Sequence, residues 1–347
     1  MKHLFFDDYS EGAHPAILHA LSQDSDEQQL GYGNDRWCRT AAERVQRFFN
    51  TAGDVHFVSG ATQANFIGLS SMLRPHQGVI APSSGHINVH EAGATEATGH
   101  KIISVDCPDG KLSCAAIDQA LLAHEDEHSV MPKVVYVTQA TELGTVYTKQ
   151  EFDAVVDYAK LLGLYVFVDG ARLAMALGSS IGDMTPADIA RPGVDMFSVG
   201  GTKVGGLLGE AIVICNESLR TDFRYLMKQR GALLAKGRAI GQQFVRFFED
   251  DNLWLELGRR SDANATRLAS GLEALGVKLR SPCSMNQVFP VVPDDIVSKL
   301  EQEYGFYRWA RDGDQWVIRI TCSWATPTDA IDDFLTACAS LLTNAIK

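Results

Sequence analysis

The strongest constraint on the fold is an alternation, over residues 54–215, between short apolar runs and segments of helical periodicity. The strand-like runs are Asp54–Val58, Gly78–Pro82, Lys101–Val105, Lys133–Thr138, Leu164–Val168, Asp195–Val199 and Glu210–Cys215. The helical segments are Arg39–Phe49, Thr62–Leu73, Ile117–Ala123 and Lys149–Leu162. Most of the strand-like runs are apolar throughout, which is typical of strands buried on both faces. The pattern predicts an α/β fold with a mainly parallel seven-stranded sheet and helices on both faces.

The alternation ends near residue 245, and the remaining chain shows runs of helix and strand without strict alternation. A long amphipathic segment at Leu253–Leu275 precedes strand-like stretches at Asn286–Val292 and Gln315–Cys322, and a closing helix is predicted near Thr328–Ile346. Such runs indicate a small C-terminal α+β domain. We therefore expect an arm at residues 1–30 that packs on the core or on a partner, a large domain at 31–245 and a small domain at 246–347.

The charge, the apolar runs and the cysteine spacing of the chain argue against several classes of protein. The formal net charge is −12, and no stripe of Lys and Arg interleaved with aromatic residues is present, so we expect no nucleic-acid partner. No apolar run approaches the length of about 18 residues that spans a bilayer, so we expect no membrane partner. The seven cysteines are scattered and never form CxxC, which favours reduced thiols. We expect a cytoplasmic protein.

Reactive side chains and small-residue turns follow several of the predicted strands. The turn from Ser59 to Asn65 opens a helix, His86 follows the second strand, Asp169 follows Leu164–Val168, and Lys203 follows Asp195–Val199. Ligands of open α/β sheets bind at the carboxyl ends of strands, so these groups should converge. A helix amino-terminus suits a phosphate, and a desolvated lysine is a nucleophile for carbonyls.

Together these groups match the requirements of pyridoxal 5′-phosphate. Lys203 would bond the aldehyde, Asp169 would keep the pyridine nitrogen protonated, His86 would stack on the ring and the turn would hold the phosphate. Two other classes remain open. His86, His90 and Glu91 have a spacing that could serve a metal-dependent hydrolase, although no recognised zinc signature is present and we expect no metal site. A non-catalytic binding protein that kept the fold is the other alternative.

The sequence also resembles a known family, the fold-type I, pyridoxal-phosphate-dependent L-threonine aldolases, and especially the low-specificity bacterial threonine or phenylserine aldolases. The resemblance spans nearly the whole chain. The motifs that carry it are Asp8-Tyr9-Ser10, Gly31 to Asp35, Gly60 to Asn65, His86 with Glu91-Ala92-Gly93, Thr138 to Tyr147, Asp169 to Arg172, Gly201-Thr202-Lys203 and Arg319 to Trp324.

The resemblance implies a role for each matching residue. Lys203 would be the Schiff-base lysine, and Asp169 and His86 would hold the pyridine ring. Ala61, Thr62 and Thr202 would bind the phosphate. Arg172, which would also contact the cofactor, and Arg319 would bind the substrate carboxylate with paired hydrogen bonds. Asp7, Tyr32 and Glu142 would complete the substrate site, with Tyr32, or one of Lys228, Arg230 and Lys236, reaching a neighbouring subunit's cofactor.

The implied activity is that of an aldehyde-lyase. It would cleave the Cα–Cβ bond of L-threonine, L-allo-threonine or a related β-hydroxy-α-amino acid, such as phenylserine, to glycine and an aldehyde. His86, His90 or an ordered water would remove the hydroxyl proton, and the protein would be a homo-oligomer, a dimer or tetramer. Another fold-type I enzyme, such as a β-eliminating lyase, a decarboxylase or a transaminase, is the alternative.

Three positions depart from the family pattern. Many members carry His where this chain has Glu142, related enzymes carry Asn where it has Val204, and Gly is common where it has Ala61. An ionised carboxylate cannot donate a hydrogen bond as a histidine does. The Glu142 position therefore bears on substrate preference.

Overall fold

The computed structural model describes residues 1–345, which contain thirteen strands and thirteen α-helices. The strands are β1 (His3–Leu4), β2 (Asp54–Val58), β3 (Gln77–Pro82), β4 (Lys101–Val105), β5 (Met131–Thr138), β6 (Tyr165–Asp169), β7 (Met196–Gly200), β8 (Glu210–Ile214), β9 (Gln287–Val288), β10 (Val291–Pro293), β11 (Tyr304–Gly305), β12 (Tyr307–Asp312) and β13 (Gln315–Thr321). The helices are α1 (Pro15–Ser22), α2 (Arg36–Phe49), α3 (Ala61–Met72), α4 (His86–Val89), α5 (Cys114–Leu122), α6 (Lys149–Leu161), α7 (Leu173–Gly178), α8 (Pro186–Ile189), α9 (Phe223–Gln229), α10 (Arg238–Phe247), α11 (Leu253–Ala274), α12 (Asp294–Leu300) and α13 (Thr328–Ala345).

Strands β2 to β8 form one seven-stranded sheet in the order β2-β8-β7-β6-β5-β3-β4. Strand β8 is antiparallel to both β2 and β7, and the other neighbours are parallel. The predicted mainly parallel sheet is therefore confirmed. Because β3, β5, β6 and β7 run in the same direction, the residues that follow them meet at one edge.

Both faces of the sheet are covered, which explains why its strands are apolar throughout. Along β5, Val135 and Val137 belong to the core on one face, where α2, α5 and α6 pack. Val134 and Tyr136 belong to the core on the other face, where α3 and α9 pack. Alternate residues of a strand point to opposite faces, so a strand covered on both sides needs an apolar residue at every position.

Helix α6 begins as the sequence predicts. Thr148 Oγ1 accepts a hydrogen bond from the backbone N–H of Glu151 at 3.2 Å, and Glu151 Oε2 accepts one from the N–H of Thr148 at 2.9 Å. This reciprocal pair satisfies two N–H groups that the first helical turn leaves free. It fixes the point at which the loop after β5 ends.

The C-terminal region forms a second, smaller sheet. Strand β13 pairs antiparallel with β10, β12 and β9. The strand predicted at Asn286–Val292 is two short strands, β9 and β10, interrupted at Phe289 and Pro290, and proline lacks the N–H that a strand interior needs. Strand β12 was not predicted. The predicted end of the closing helix, Ile346, lies outside the described residues.

The N-terminal residues pack against the C-terminal region that contains the second sheet. Strand β1 pairs in parallel with β11, and Phe5 is buried in a core that also contains residues of α11, α12 and α13. Helix α11 reaches both cores, since Leu253 and Leu257 lie in the large one and Leu268 and Leu272 in the small one. None of the helices in residues 1–345 combines the length and apolar character needed to cross a bilayer.

Candidate active site

A cavity of about 690 Å³ lies where the carboxyl ends of the parallel strands face the second sheet. The residues that line it come from the N-terminal arm, from segments that follow strands of the large sheet, and from the second sheet: Tyr9, Ser59, Gly60, Ala61, Thr62, His86, His90, Glu142, Arg172, Thr202, Lys203, Leu208, Glu210, Gln287, Tyr307, Arg308, Trp309 and Arg319. Eight of the predicted site residues line the cavity: Ala61, Thr62, His86, Glu142, Arg172, Thr202, Lys203 and Arg319. The predicted residues Asp7, Tyr32 and Asp169 do not line it.

Lys203 follows β7 in a single helical turn, and its side chain reaches the cavity although the residue is buried. Burial and the positive charge of Arg172 lower the pKa of Lys203, against the opposing charges of Asp8, Asp169 and Glu210. A lower pKa increases the fraction of neutral amine at a given pH. The amine is therefore suited to attack a carbonyl carbon.

Arg172 is held by a carboxylate of the N-terminal arm. Its Nε donates to Asp8 Oδ2 at 2.7 Å and its Nη2 to Asp8 Oδ1 at 3.0 Å, and Asn286 Nδ2 donates to Oδ2 at 3.0 Å. Burial alone would raise the pKa of Asp8, but the charges of Arg172 and Lys203 outweigh it and the pKa is lowered. Asp8, rather than its neighbour Asp7, therefore reaches the site; Asp7 accepts hydrogen bonds from Tyr9 and Ser10 near the surface.

Arg319 lies between two aromatic rings at the wall of the cavity. Its Cζ is 4.7 Å from the ring centroid of Tyr307 and 4.7 Å from that of Trp309. Its Nη2 donates to the carbonyl oxygen of Phe6 at 3.3 Å, while the buried Nε has no partner within the described residues. Asp8 takes up Nε and Nη2 of Arg172, whereas Arg319 makes one hydrogen bond among the described residues, so more of its donors remain for an anion.

A chain of hydrogen bonds fixes Asp169 and His86 relative to each other. Asp169 Oδ2 accepts from Asn65 Nδ2 at 2.8 Å and from the Tyr136 hydroxyl at 2.6 Å. The same Asn65 amide donates to Glu91 Oε1 at 2.8 Å, and His86 Nδ1 lies 2.8 Å from that oxygen. Asp169 is buried behind the lining residues, but its charge influences both Lys203 and Glu142.

The amino-terminus of α3 opens toward the cavity. Gly60 occupies the cap position, no side chain caps the helix, and Ala61 and Thr62 line the cavity. A methyl group built on Gly60 would meet nothing within 4 Å, so the approach to these N–H groups is open. Gln63 Oε1 accepts hydrogen bonds from the N–H and hydroxyl of Ser59, which fixes the preceding turn. Free N–H groups at a helix amino-terminus bind phosphate.

Two carboxyl groups of the cavity have altered acidity. Burial and the charge of Asp169 raise the pKa of Glu142 to about 7. Burial raises the pKa of Glu210 well above its usual range, against the opposing charge of Lys203, and Glu210 Oε2 has no partner within the described residues. The site thus combines a nucleophilic amine, a free guanidinium, a phosphate-type turn and weakly acidic carboxyl groups.

Comparison with known proteins agrees with this geometry. A family model described as "Beta-eliminating lyase" matches residues 8–295. A low specificity L-threonine aldolase of Pseudomonas sp. is 35% identical over 329 residues, which cover 92% of this chain and 92% of that protein. A solved threonine aldolase of Leishmania major matches with a TM-score of 0.95 and 44% identity, over 98% of this chain and 99% of that one.

The chain belongs to the beta-eliminating lyase family, among the threonine aldolases. A Thermus thermophilus aspartate aminotransferase, at 15% identity, matches with a TM-score of 0.72 over 98% of this chain and 91% of that one, which shows the shared fold alone. The predicted membership and the fold-type I class are confirmed.

Several side chains of this threonine aldolase site were not predicted. Glu210, Gln287, Tyr307 and Trp309 line the cavity, and both amide atoms of the buried Gln287 have no partner within the described residues. They lie on β8, β9 and β12, and only tertiary packing brings those strands to the cavity. The N-terminal motif at Asp8-Tyr9-Ser10 points to this part of the arm, but it does not show which of Asp7 and Asp8 contacts Arg172.

Tyr32 stands apart from the cavity. It lines a different pocket with Arg224 and Met227, and Lys228 Nζ lies 4.3 Å from its ring centroid. Its role toward a neighbouring subunit's cofactor stays a prediction. Among residues 1–345, no group of three or more His, Cys, Asp or Glu side chains is placed to hold a metal ion.

Proposed function

We propose that this chain is a pyridoxal-5′-phosphate-dependent aldehyde-lyase. Its substrates would be L-threonine, L-allo-threonine or related β-hydroxy-α-amino acids such as phenylserine, and its products glycine and an aldehyde. The observation that carries the proposal is the buried Lys203, whose pKa is lowered and whose side chain lines the same cavity as Arg319 and the amino-terminus of α3. The names of the Pseudomonas and Leishmania relatives support the reaction class.

The residues of the cavity fit this cofactor. The uncapped N–H groups at Ala61 and Thr62, with the Thr202 hydroxyl, would hold the phosphate. Lys203 would bond the aldehyde carbon. His86, oriented by Glu91, would stack on the pyridine ring.

Asp169 would hold a proton on the pyridine nitrogen. The donors Asn65 and Tyr136 fix its carboxylate, and they would leave it acceptor capacity for that proton. When bound, the cofactor supplies an electron sink for the electron pair left on Cα after the Cα–Cβ bond breaks, and the sink works only while the ring nitrogen is cationic.

The substrate carboxylate would bind Arg319. The rings of Tyr307 and Trp309 hold this guanidinium in place, and Arg319 lines the cavity with its Nε unpaired within the described residues. Arg172 would then act in two ways: it anchors Asp8 and, with burial, lowers the pKa of Lys203. A fixed carboxylate would orient the scissile bond, and orientation of this kind lowers the barrier of an intramolecular step.

The protein would act in the cytoplasm as a homo-oligomer, a tetramer or dimer. All seven cysteines are free thiols, which supports a reducing compartment. The exposed Tyr32, paired with Lys228, would contact the neighbouring subunit's cofactor. Sedimentation of the wild-type protein and of Tyr32→Ala would give the assembly state.

The deciding experiment measures aldehyde release from threonine, allo-threonine and phenylserine by the cofactor-loaded protein, in parallel with glycine formation. The proposal predicts equal amounts of aldehyde and glycine from at least one of these substrates. Turnover of another amino acid without aldehyde would instead favour a β-eliminating lyase, decarboxylase or transaminase. Loss of activity to a chelator, in a protein that does not bind the cofactor, would favour a metal-dependent hydrolase.

A further inference from the structure

Glu142 is a carboxyl group of the cavity that forms no ion pair within the described residues. It follows β5, lines the cavity together with His86, Arg172 and Lys203, and is 8% exposed. Thr138 Oγ1 donates to its Oε2 over 3.4 Å, which is a long hydrogen bond. Two neighbouring side chains are engaged elsewhere, since Arg172 pairs with Asp8 and His86 Nδ1 lies 2.8 Å from Glu91 Oε1.

The surroundings of Glu142 suit a group that exchanges a proton near neutral pH. Burial and then the negative charge of Asp169 raise its pKa to about 7, while His86 and Arg172 oppose the shift. The charged and titratable groups that influence it or are influenced by it are Asp169, His86, Arg172, Tyr136 and Tyr147. A base is most effective when its pKa lies near the working pH.

The other proton acceptors of the site are less suited. Glu91 Oε1 already accepts a hydrogen bond from Asn65 Nδ2 and lies within hydrogen-bond distance of His86 Nδ1. Burial raises the pKa of Glu210 well above its usual range, which favours its protonated form, and only the opposing charge of Lys203 and a backbone hydrogen bond work against this. Partial burial of the His90 ring and the charge of His86 lower the pKa of His90, which makes it a weaker base. His90 remains the main competitor of Glu142.

We propose that the carboxylate of Glu142 removes the β-hydroxyl proton of the substrate, an inference that rests on the proposed aldolase function. Glu142 takes the proton, the O–H electron pair becomes the second C–O bond of the aldehyde, and the Cα–Cβ electron pair stays on Cα. Cα then takes up one proton to complete glycine, so atoms and electrons balance without an oxidant or reductant. Glu142 is thus a catalytic residue, beyond the substrate-binding role that the sequence suggests.

The test compares two reactions in Glu142→Gln, which keeps the size of the side chain and removes the base. Exchange of the α-proton of glycine with D2O needs the cofactor and Lys203 but no hydroxyl proton. We expect kcat/KM for aldol cleavage to fall about 10²–10⁴-fold, as is usual for loss of a general base, while glycine exchange stays within a few fold of wild type. The matched control, Glu43→Gln, alters an exposed carboxylate outside the cavity and should leave cleavage unchanged, while His90→Asn tests the competing base.

A second readout needs no bound cofactor. Difference infrared spectra of the cofactor-free protein, recorded across pH, should show a carboxyl group that titrates near pH 7 in the wild type and is missing in Glu142→Gln. Correspondingly, the wild-type kcat/KM for cleavage should rise with pH through this value, because only the ionised carboxylate accepts the proton.

Three outcomes would overturn the assignment. Cleavage by Glu142→Gln within tenfold of wild type, with loss of cleavage in His90→Asn, would make His90 the base. Equal loss of cleavage and of glycine exchange in Glu142→Gln would show a general structural role. Wild-type protein that exchanges glycine but cleaves no β-hydroxy amino acid would refute the proposed aldolase function itself, and this assignment with it.

Discussion

The buried ion pair between Asp8 and Arg172 gives the sharpest stability prediction. Asp8 is fully buried and accepts two hydrogen bonds from Arg172 and one from Asn286. Replacing Asp8 by Asn keeps its shape and removes its charge. The guanidinium of Arg172 is then buried without a counter-ion and close enough to Lys203 to lower its pKa.

Two estimates of the free energy of unfolding that is lost in Asp8→Asn agree. At an effective dielectric constant of about 20 and a charge separation of about 4 Å, the lost attraction is about 4 kcal/mol. Breaking one side of a buried ion pair typically costs about 3–5 kcal/mol. We therefore expect Asp8→Asn to lower the free energy of unfolding by about 4 kcal/mol at neutral pH, measured by urea denaturation of the cofactor-free protein.

The pH dependence has a definite sign. The pKa of Asp8 is lowered in the folded protein, so its contribution is fully present above the ordinary value of 3.8 and is lost as the pH falls through the lowered value. The difference between wild type and Asp8→Asn should thus be constant at neutral pH and narrow only in acid. The control, Asp7→Asn, alters a partly exposed neighbour and should change stability by about 0.5 kcal/mol or less. Equal midpoints for the two variants would refute the reasoning.

Two further substitutions test the packing around the site. Gly170→Ala would place a methyl carbon 2.0 Å from the carbonyl oxygen of Ser198, so we expect the free energy of unfolding, measured with urea, to fall by about 3 kcal/mol or more. The control, Gly12→Ala, has open surroundings and should leave it unchanged. Wild-type stability of Gly170→Ala would contradict this contact. Trp309→Leu removes one of the rings that hold Arg319, so KM for the amino acid should rise about 2–30-fold, the equivalent of about 0.5–2 kcal/mol. Trp37→Leu, which removes the ring beside Arg36 outside the cavity, should leave KM unchanged, and an equal rise in both would argue against Arg319 as the carboxylate site.

The sequence predicts the large sheet well because its strands are buried on both faces and alternate with helices. All seven predicted strands overlap those observed, with ends that differ by no more than two residues. Strand β12 was missed because its residues, Tyr307 to Asp312, are polar or half-exposed and a register shift between Arg308 and Ala310 breaks the alternation. Its existence depends on pairing with β13.

The candidate active site, like the fold, combines residues that the sequence predicts with residues that it does not. Lys203, His86 and the turn at Ala61 follow strands, so the topology alone brings them to one edge. Asp8 and Asp7 cannot be told apart in the sequence, because the choice depends on which carboxylate the arm turns toward Arg172. Gln287 and Trp309 come from the small sheet, and nothing local in the sequence shows that this sheet closes the cavity.

The central claim is that the Lys203 amine bonds the aldehyde of pyridoxal 5′-phosphate. Loading the protein with the cofactor, reducing it with borohydride and mapping the modified peptide by mass spectrometry tests this bond directly. The account predicts one phosphopyridoxyl group, on Lys203, and none on Lys203→Ala. A label on another lysine, or no label in a protein that still releases aldehyde and glycine, would contradict it.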